Sequence, residues 1–181
     1  MKLKKWMGLM MTAFVIGMGS VVPAQAADME SGLINVQPGD TEQTVTLDDG
    51  LCSQTTAYGI EARGSIISTA MVSLENLTGG KMDITITTLA HVECERIQNI
   101  AYLYQQQDDG TWKELKRYEY NAYKKDFPTE DLSGLTNAIT VENLEVGKYY
   151  KVRGIHCVWA NGKGQAFATN TDAILATKYG D

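Results

Sequence analysis

The chain has 181 residues, 44% of them hydrophobic, with 16 basic and 22 acidic side chains for a formal net charge of −6. That length supports one domain with a genuine core and is too short for two comfortable ones. The acidic balance excludes nucleic acid as the expected partner. Phosphate binding needs a basic stripe, and the local concentrations Lys113-Lys116-Arg117 and Lys124-Lys125 read as a solvated strand face and a turn.

In chain order, the first element is an export leader. Lys2, Lys4 and Lys5 precede an apolar run from Trp6 to Met18 and a small-residue exit at Ala24-Gln25-Ala26, the layout of a secretory signal peptide over residues 1–26. The run is shorter than the roughly 20 residues a spanning helix needs, so the expected product is a soluble secreted protein with no membrane contact after cleavage. Losing three lysines with the leader takes the net charge from −6 to −9. Residues 27–61 are polar and turn-rich, with Pro38, Gly39, Asp40, Asp48, Asp49 and Gly50, and read as a loose N-terminal arm.

From residue 62 to 178 the pattern changes to short alternating runs bounded by Gly, Asn, Asp or Pro. The first predicted strand covers Ser65 to Leu74. The second, Met82 to Leu89, sets Met82, Ile84 and Ile86 on one face against Asp83, Thr85 and Thr87. The third runs from Ile97 to Gln106, and Asp108-Asp109-Gly110 turns it back into Trp112 to Tyr120. A turn centred on Asp109 and Gly110 places Tyr104 opposite Leu115 and Tyr102 opposite Arg117. Ile100, Tyr102, Tyr104 and Leu115 then share the face expected to meet the core, with Leu103, Trp112 and Tyr118 on the other. After Phe127-Pro128-Thr129-Glu130, strands are expected at Ala138 to Val141, Lys148 to Trp159 and Gln165 to Thr177, the last two joined by Asn161-Gly162-Lys163-Gly164. About seven short strands with almost no helical periodicity predict an all-β protein, an antiparallel sandwich.

Leu144-Glu145-Val146-Gly147-Lys148-Tyr149-Tyr150-Lys151-Val152 resembles the approach to the sixth strand of immunoglobulin and fibronectin type III domains. That resemblance implies that Leu144 plugs the sandwich and that Tyr150, or Tyr149, returns its hydroxyl to the backbone as a structural corner.

Three cysteines in an exported chain leave at least one unpaired. In an up-and-down strand order, Cys94 and Cys157 fall at the same pole. A disulfide between them would close a loop of about 60 residues, worth roughly 2–4 kcal/mol, with Cys52 left over. The same pole brings His91, Cys94 and His156 within reach of one another as an alternative zinc set, although His156 and Cys157 are strand neighbours and point to opposite faces. The expectation is therefore no metal and no cofactor. A Cys157/His91 dyad, or carboxylates among Glu93, Glu95, Asp126, Glu130 and Asp131, can be written down, but none sits in a nucleophile or paired-acid motif, so no catalytic residue is assigned. Trp112, Tyr118, Tyr120, Tyr123 and Trp159 are the binding candidates, able to stack on sugars or anchor a protein.

Finally, the strand before Asp109-Gly110-Thr111-Trp112, the run Gly147 to His156, and Thr169-Asn170-Thr171-Asp172-Ala173-Ile174 resemble an uncharacterised family of small secreted bacterial domains, mainly Gram-positive. Lys151 and Ala173 depart from its pattern. The resemblance implies a β-sandwich and export, and carries over no established activity. The reading is a secreted, monomeric, non-enzymatic recognition protein for a glycan, the cell envelope or a protein surface. A bacteriocin-like toxin, a hydrolase and a metal-binding protein are the alternatives.

Overall fold

The alternation of apolar residues from residue 67 onward builds two facing sheets. The computed structural model describes residues 47–48, 50–58 and 65–180; the expected leader and most of the arm lie outside them. Ten strands are found among the described residues: β1 Leu47–Asp48, β2 Cys52–Tyr58, β3 Ile67–Thr78, β4 Lys81–Ala90, β5 Arg96–Gln106, β6 Trp112–Tyr123, β7 Gly134–Val141, β8 Tyr149–Ala160, β9 Lys163–Asn170 and β10 Ala173–Leu175. The one helical turn among them is a 3-10 turn at Lys124–Asp126.

The smaller sheet runs β2-β3-β4-β7, and the larger runs β1-β10-β8-β5-β6, with β9 also on β8. Strand β8 is long enough to hold two partners in succession along one edge. Its first residues, Tyr149 and Tyr150, pair with β10, and Arg153 to Ala160 pair with β9. All pairings are antiparallel except β1 with β10. Chain reversals use residues that tolerate left-handed backbone. Asn161 (φ 53°) and Gly162 (φ 69°) form a two-residue turn between paired Ala160 and Lys163, the geometry that the twist of hairpins favours. Gly80 (φ 71°) receives Leu144 so closely that a Cβ there would stand 2.5 Å from the Leu144 carbonyl oxygen.

The core lies between the sheets. Val72, Leu74, Met82, Ile84, Ile86 and Val141 from one sheet meet Ala101, Leu103, Tyr150, Val152 and Ile174 from the other. A second cluster at one end joins Ile67, Ala70, Cys94, Ile97, Leu132, Val158 and Ala160. Gln165 ties the sheets there, its Oε1 accepting from the backbone N–H groups of Ile66 (2.6 Å) and Ile67 (2.9 Å).

Four sequence expectations change. First, strands β1 and β2 lie inside the expected arm: β2 adds an edge to β3 along Cys52 to Tyr58, so the sandwich begins before residue 62. An edge strand needs little hydrophobicity, and Ser53 is its one described buried side chain. Second, the pairing of β5 with β6 slips by one residue between Leu103 and Tyr104, so Tyr104 faces Glu114 while Tyr102 keeps Arg117. Third, the core face of β5 is the one expected to be external: Ile97, Ala101 and Leu103 are buried between the sheets and Tyr118 packs on them. Both faces of this hairpin carry aromatics, which hid the choice. Fourth, the last strand is two. The chain leaves β8 at Thr171, whose hydroxyl accepts from the Val152 N–H (2.9 Å), and resumes as β10.

Candidate functional site

Residues opposite one another in a sheet share a face, and this identifies what the larger sheet presents outward. Along β8 the buried inward positions are Tyr150, Val152, Gly154, His156 and Val158, which leaves Lys151, Arg153, Ile155, Cys157 and Trp159 on the outer face. Their β5 partners are Tyr104, Tyr102, Ile100, Gln98 and Arg96. On β6 the outward residues are Tyr123, Asn121, Glu119 and Arg117, then Glu114 and Trp112 beyond the slip.

This face is built of cations seated on rings. The Arg96 guanidinium lies 4.4 Å from the ring centre of Trp159 and 5.3 Å from that of Tyr123, and its Nε and Nη2 donate to Asn121 Oδ1 at 3.1 and 2.8 Å. At the other end, Lys151 Nζ is 4.2 Å from Trp112 and 6.0 Å from Tyr104. Between them Arg117 sits 5.7 Å from Tyr102 and pairs with Glu119 at 2.7 Å. Glu119 also accepts from Gln98 Nε2 at 2.6 Å. Such cation–ring contacts are worth about 0.5–2 kcal/mol each. Burial lowers the Lys151 pKa. The Tyr104 phenol is raised, first by burial and then by Glu114, against an opposing pull from Arg153.

Of the expected binding residues, Trp112, Trp159 and Tyr123 are on this face, at its two ends. Tyr118 and Tyr120 are not. They pair with Ala101 and Asn99, which face the opposite sheet. Arg96, Arg117 and Lys151 were missed as site residues. The signal lay in alternate positions, Lys151-x-Arg153 on one strand and Arg96-x-Gln98 on another.

The residues of the zinc alternative are not brought together. His156 lies wholly in the core, His91 is exposed in the loop after β4, and no group of three His, Cys, Asp or Glu able to hold a metal occurs among the described residues. His156 is instead the centre of a polar seam. Its Nδ1 is 2.8 Å from Thr88 Oγ1 and its Nε2 is 2.8 Å from Thr169 Oγ1. Thr88 in turn donates to Asn99 Oδ1 at 2.5 Å. Asn99 Nδ2 faces the carbonyls of Ile86 and Leu135 and Asn137 Oδ1, which fixes the amide orientation. The Thr88 proton is therefore spent on Asn99, so Nδ1 carries the imidazole proton and Nε2 accepts from Thr169. Burial holds the His156 pKa down to about 4.

The expected Cys94–Cys157 disulfide is also absent, and all three cysteines are free thiols. Cys94 packs in the cluster between the sheets, whereas Cys157 belongs to the outer face of β8, so the sheet separates them. Burial pushes the Cys94 thiol to about 11 and the Cys157 thiol to about 12, the latter despite Arg96. Cys52 is exposed on the edge strand β2.

Leu144 is buried. The Tyr150 hydroxyl accepts from the Glu145 N–H (2.8 Å) and Gln105 Nε2 (2.9 Å) and donates to the Glu145 carbonyl (3.0 Å). Its pKa is raised, chiefly by burial.

No protein-family model and no curated protein matches this chain. Among solved structures, the Br derivative of BhCBM56 aligns with 61% of this chain and 99% of its own at 15% identity and a TM-score of 0.29. Spo0M, a sporulation control protein from Bacillus subtilis, aligns with 70% of this chain at 9% identity and a TM-score of 0.33. The chain spans half the length of that Spo0M structure. No helix among the described residues is long and apolar enough to cross a membrane.

Proposed function

We propose that this protein is an exported, non-enzymatic recognition module of the immunoglobulin and fibronectin III type, and that it binds a glycan of the cell envelope or surroundings through the outer face of its larger sheet. The fold type is supported by strand order. Strands β3-β4-β7 oppose β6-β5-β8-β9, the arrangement in which three hairpins and three crossings between sheets make a Greek-key sandwich. The buried Leu144 and the Tyr150 hydroxyl bonded to the Glu145 backbone fit the corner of such domains.

The binding reading is carried by one observation: Trp112, Tyr104, Tyr102, Tyr123 and Trp159 are gathered on a single sheet face together with Arg96, Arg117 and Lys151. Side chains that merely fill a core do not collect outside it. The cores of protein–protein interfaces are depleted of charge, whereas this face carries Arg96, Arg117 and Lys151 on its rings from one end to the other, which suits a hydroxyl-rich ligand better than an apolar protein surface. The test is co-sedimentation of the purified protein with cell-wall fractions and insoluble polysaccharides. The wild type is retained by at least one, and Trp112→Ala with Trp159→Ala releases it. A wild type that stays in the supernatant with every matrix overturns the reading.

A further inference from the structure

We infer that the ligand of this face is an anionic polysaccharide, held at two ends by Arg96 and Lys151; the inference rests on the glycan reading above and narrows it. Rings that stack on neutral sugars must offer a bare face. Here the Trp159 and Tyr123 rings carry Arg96, and the Trp112 ring carries Lys151 at 4.2 Å. The rings hold the cations in place, and the cations are what meets a ligand. Arg96 gives two of its five N–H groups to Asn121, and a guanidinium lying over a ring presents the remaining ones in its plane to a carboxylate or phosphate oxygen.

Charge segregation points the same way. The chain is net −6, yet the outer face sets Arg96, Arg117, Lys151 and Arg153 against Glu114 and Glu119. Glu119 is already engaged by Arg117 and Gln98. Neither Arg96 nor Lys151 has a carboxylate within ion-pair distance among the described residues. The positive ends are also far apart. Residues 151 to 159 of one strand separate Lys151 from the row of Arg96 and Trp159, about 26 Å at roughly 3.3 Å per residue. That span suits a chain polymer with spaced charges rather than a single small anion.

The experiment measures binding of the full chain to polygalacturonate, to neutral dextran and to a single-stranded oligothymidine. Polygalacturonate is expected to bind more tightly than dextran, and to lose about sevenfold to fortyfold in affinity between about 50 and about 200 mM salt, as two or three released counterions imply. Arg96→Gln and Lys151→Met, checked for native circular dichroism, should each weaken polygalacturonate binding by about threefold or more and leave dextran unchanged. Equal, salt-insensitive binding of both polysaccharides overturns the anion inference and leaves the glycan reading standing. Binding to neither polysaccharide overturns both. Tighter binding of oligothymidine than of polygalacturonate overturns the inference in favour of nucleic acid.

Discussion

Acidification should destabilise this protein through His156 before its carboxylates are exhausted. The imidazole is fully buried between Thr88 and Thr169, and its pKa is held near 4 against an ordinary 6.5, chiefly by burial. Below about pH 6.5 the unfolded chain binds a proton at this side chain, and the folded chain does so only below about 4. Across that window the unfolded state holds more protons, so folding stability falls as the pH falls, by about 1.4 kcal/mol per unit. The full difference is about 3 kcal/mol, complete near pH 4 and absent above 6.5, a sizeable share of the 5–15 kcal/mol typical of a domain. Urea unfolding at pH 7 and pH 5 should show the wild type losing about 2 kcal/mol more than His156→Gln, which lacks the titrating group. The proton NMR resonance of His156 should stay unshifted down to about pH 5. Equal pH slopes for the two proteins, or a histidine resonance from the core that titrates near 6.5, would refute the reasoning.

Three other outcomes follow from the packing. A thiol reagent should label Cys52 in the native protein, and Cys94 and Cys157 only after denaturation, because both are buried with pKa values pushed to about 11 and 12; mass spectrometry counts the adducts, and native labelling of all three contradicts the assignment. Gly154→Ala should cost about 1–3 kcal/mol in chemical denaturation, since its Cβ would stand 2.7 Å from Thr169 Oγ1 and 3.0 Å from His156 Nε2; an unchanged midpoint is the contrary result. Tyr150→Phe should cost about 1–2 kcal/mol by leaving the Glu145 backbone groups and Gln105 without the hydroxyl. Tyr149→Phe, at the half-buried neighbour, should cost less, and the reverse order would move the corner to Tyr149.

Where one face of a strand is plainly apolar, the sequence reads well. Met82, Ile84 and Ile86 alternate with Asp83, Thr85 and Thr87 and become β4 as expected, and the Asp109-Gly110 and Asn161-Gly162 pairs mark two real hairpins. Reading fails where both faces carry large side chains. The slip between Leu103 and Tyr104 moves Trp112 and Glu114 to the outer face, and no local pattern signals a bulge of that kind. Polar β2 was read as an arm because propensity and hydrophobicity say little about an edge strand whose backbone supplies most of its bonds. His156 was weighed as a ligand, yet it falls two residues from inward Val158 and Gly154, and period two alone puts it in the core. Arg96 and Lys151 carry no local signal, because charged strand residues are usually solvated. Only the cross-strand register shows that each rests on aromatic rings.

The central claim is that the outer face of the larger sheet is the recognition surface. Its most direct test is an amide NMR titration of the protein with polygalacturonate. The account requires chemical-shift changes centred on Arg96 to Tyr104, Trp112 to Tyr123 and Lys151 to Trp159. Changes centred on β3, β4 and β7 would contradict it, as would a titration that leaves every amide in place.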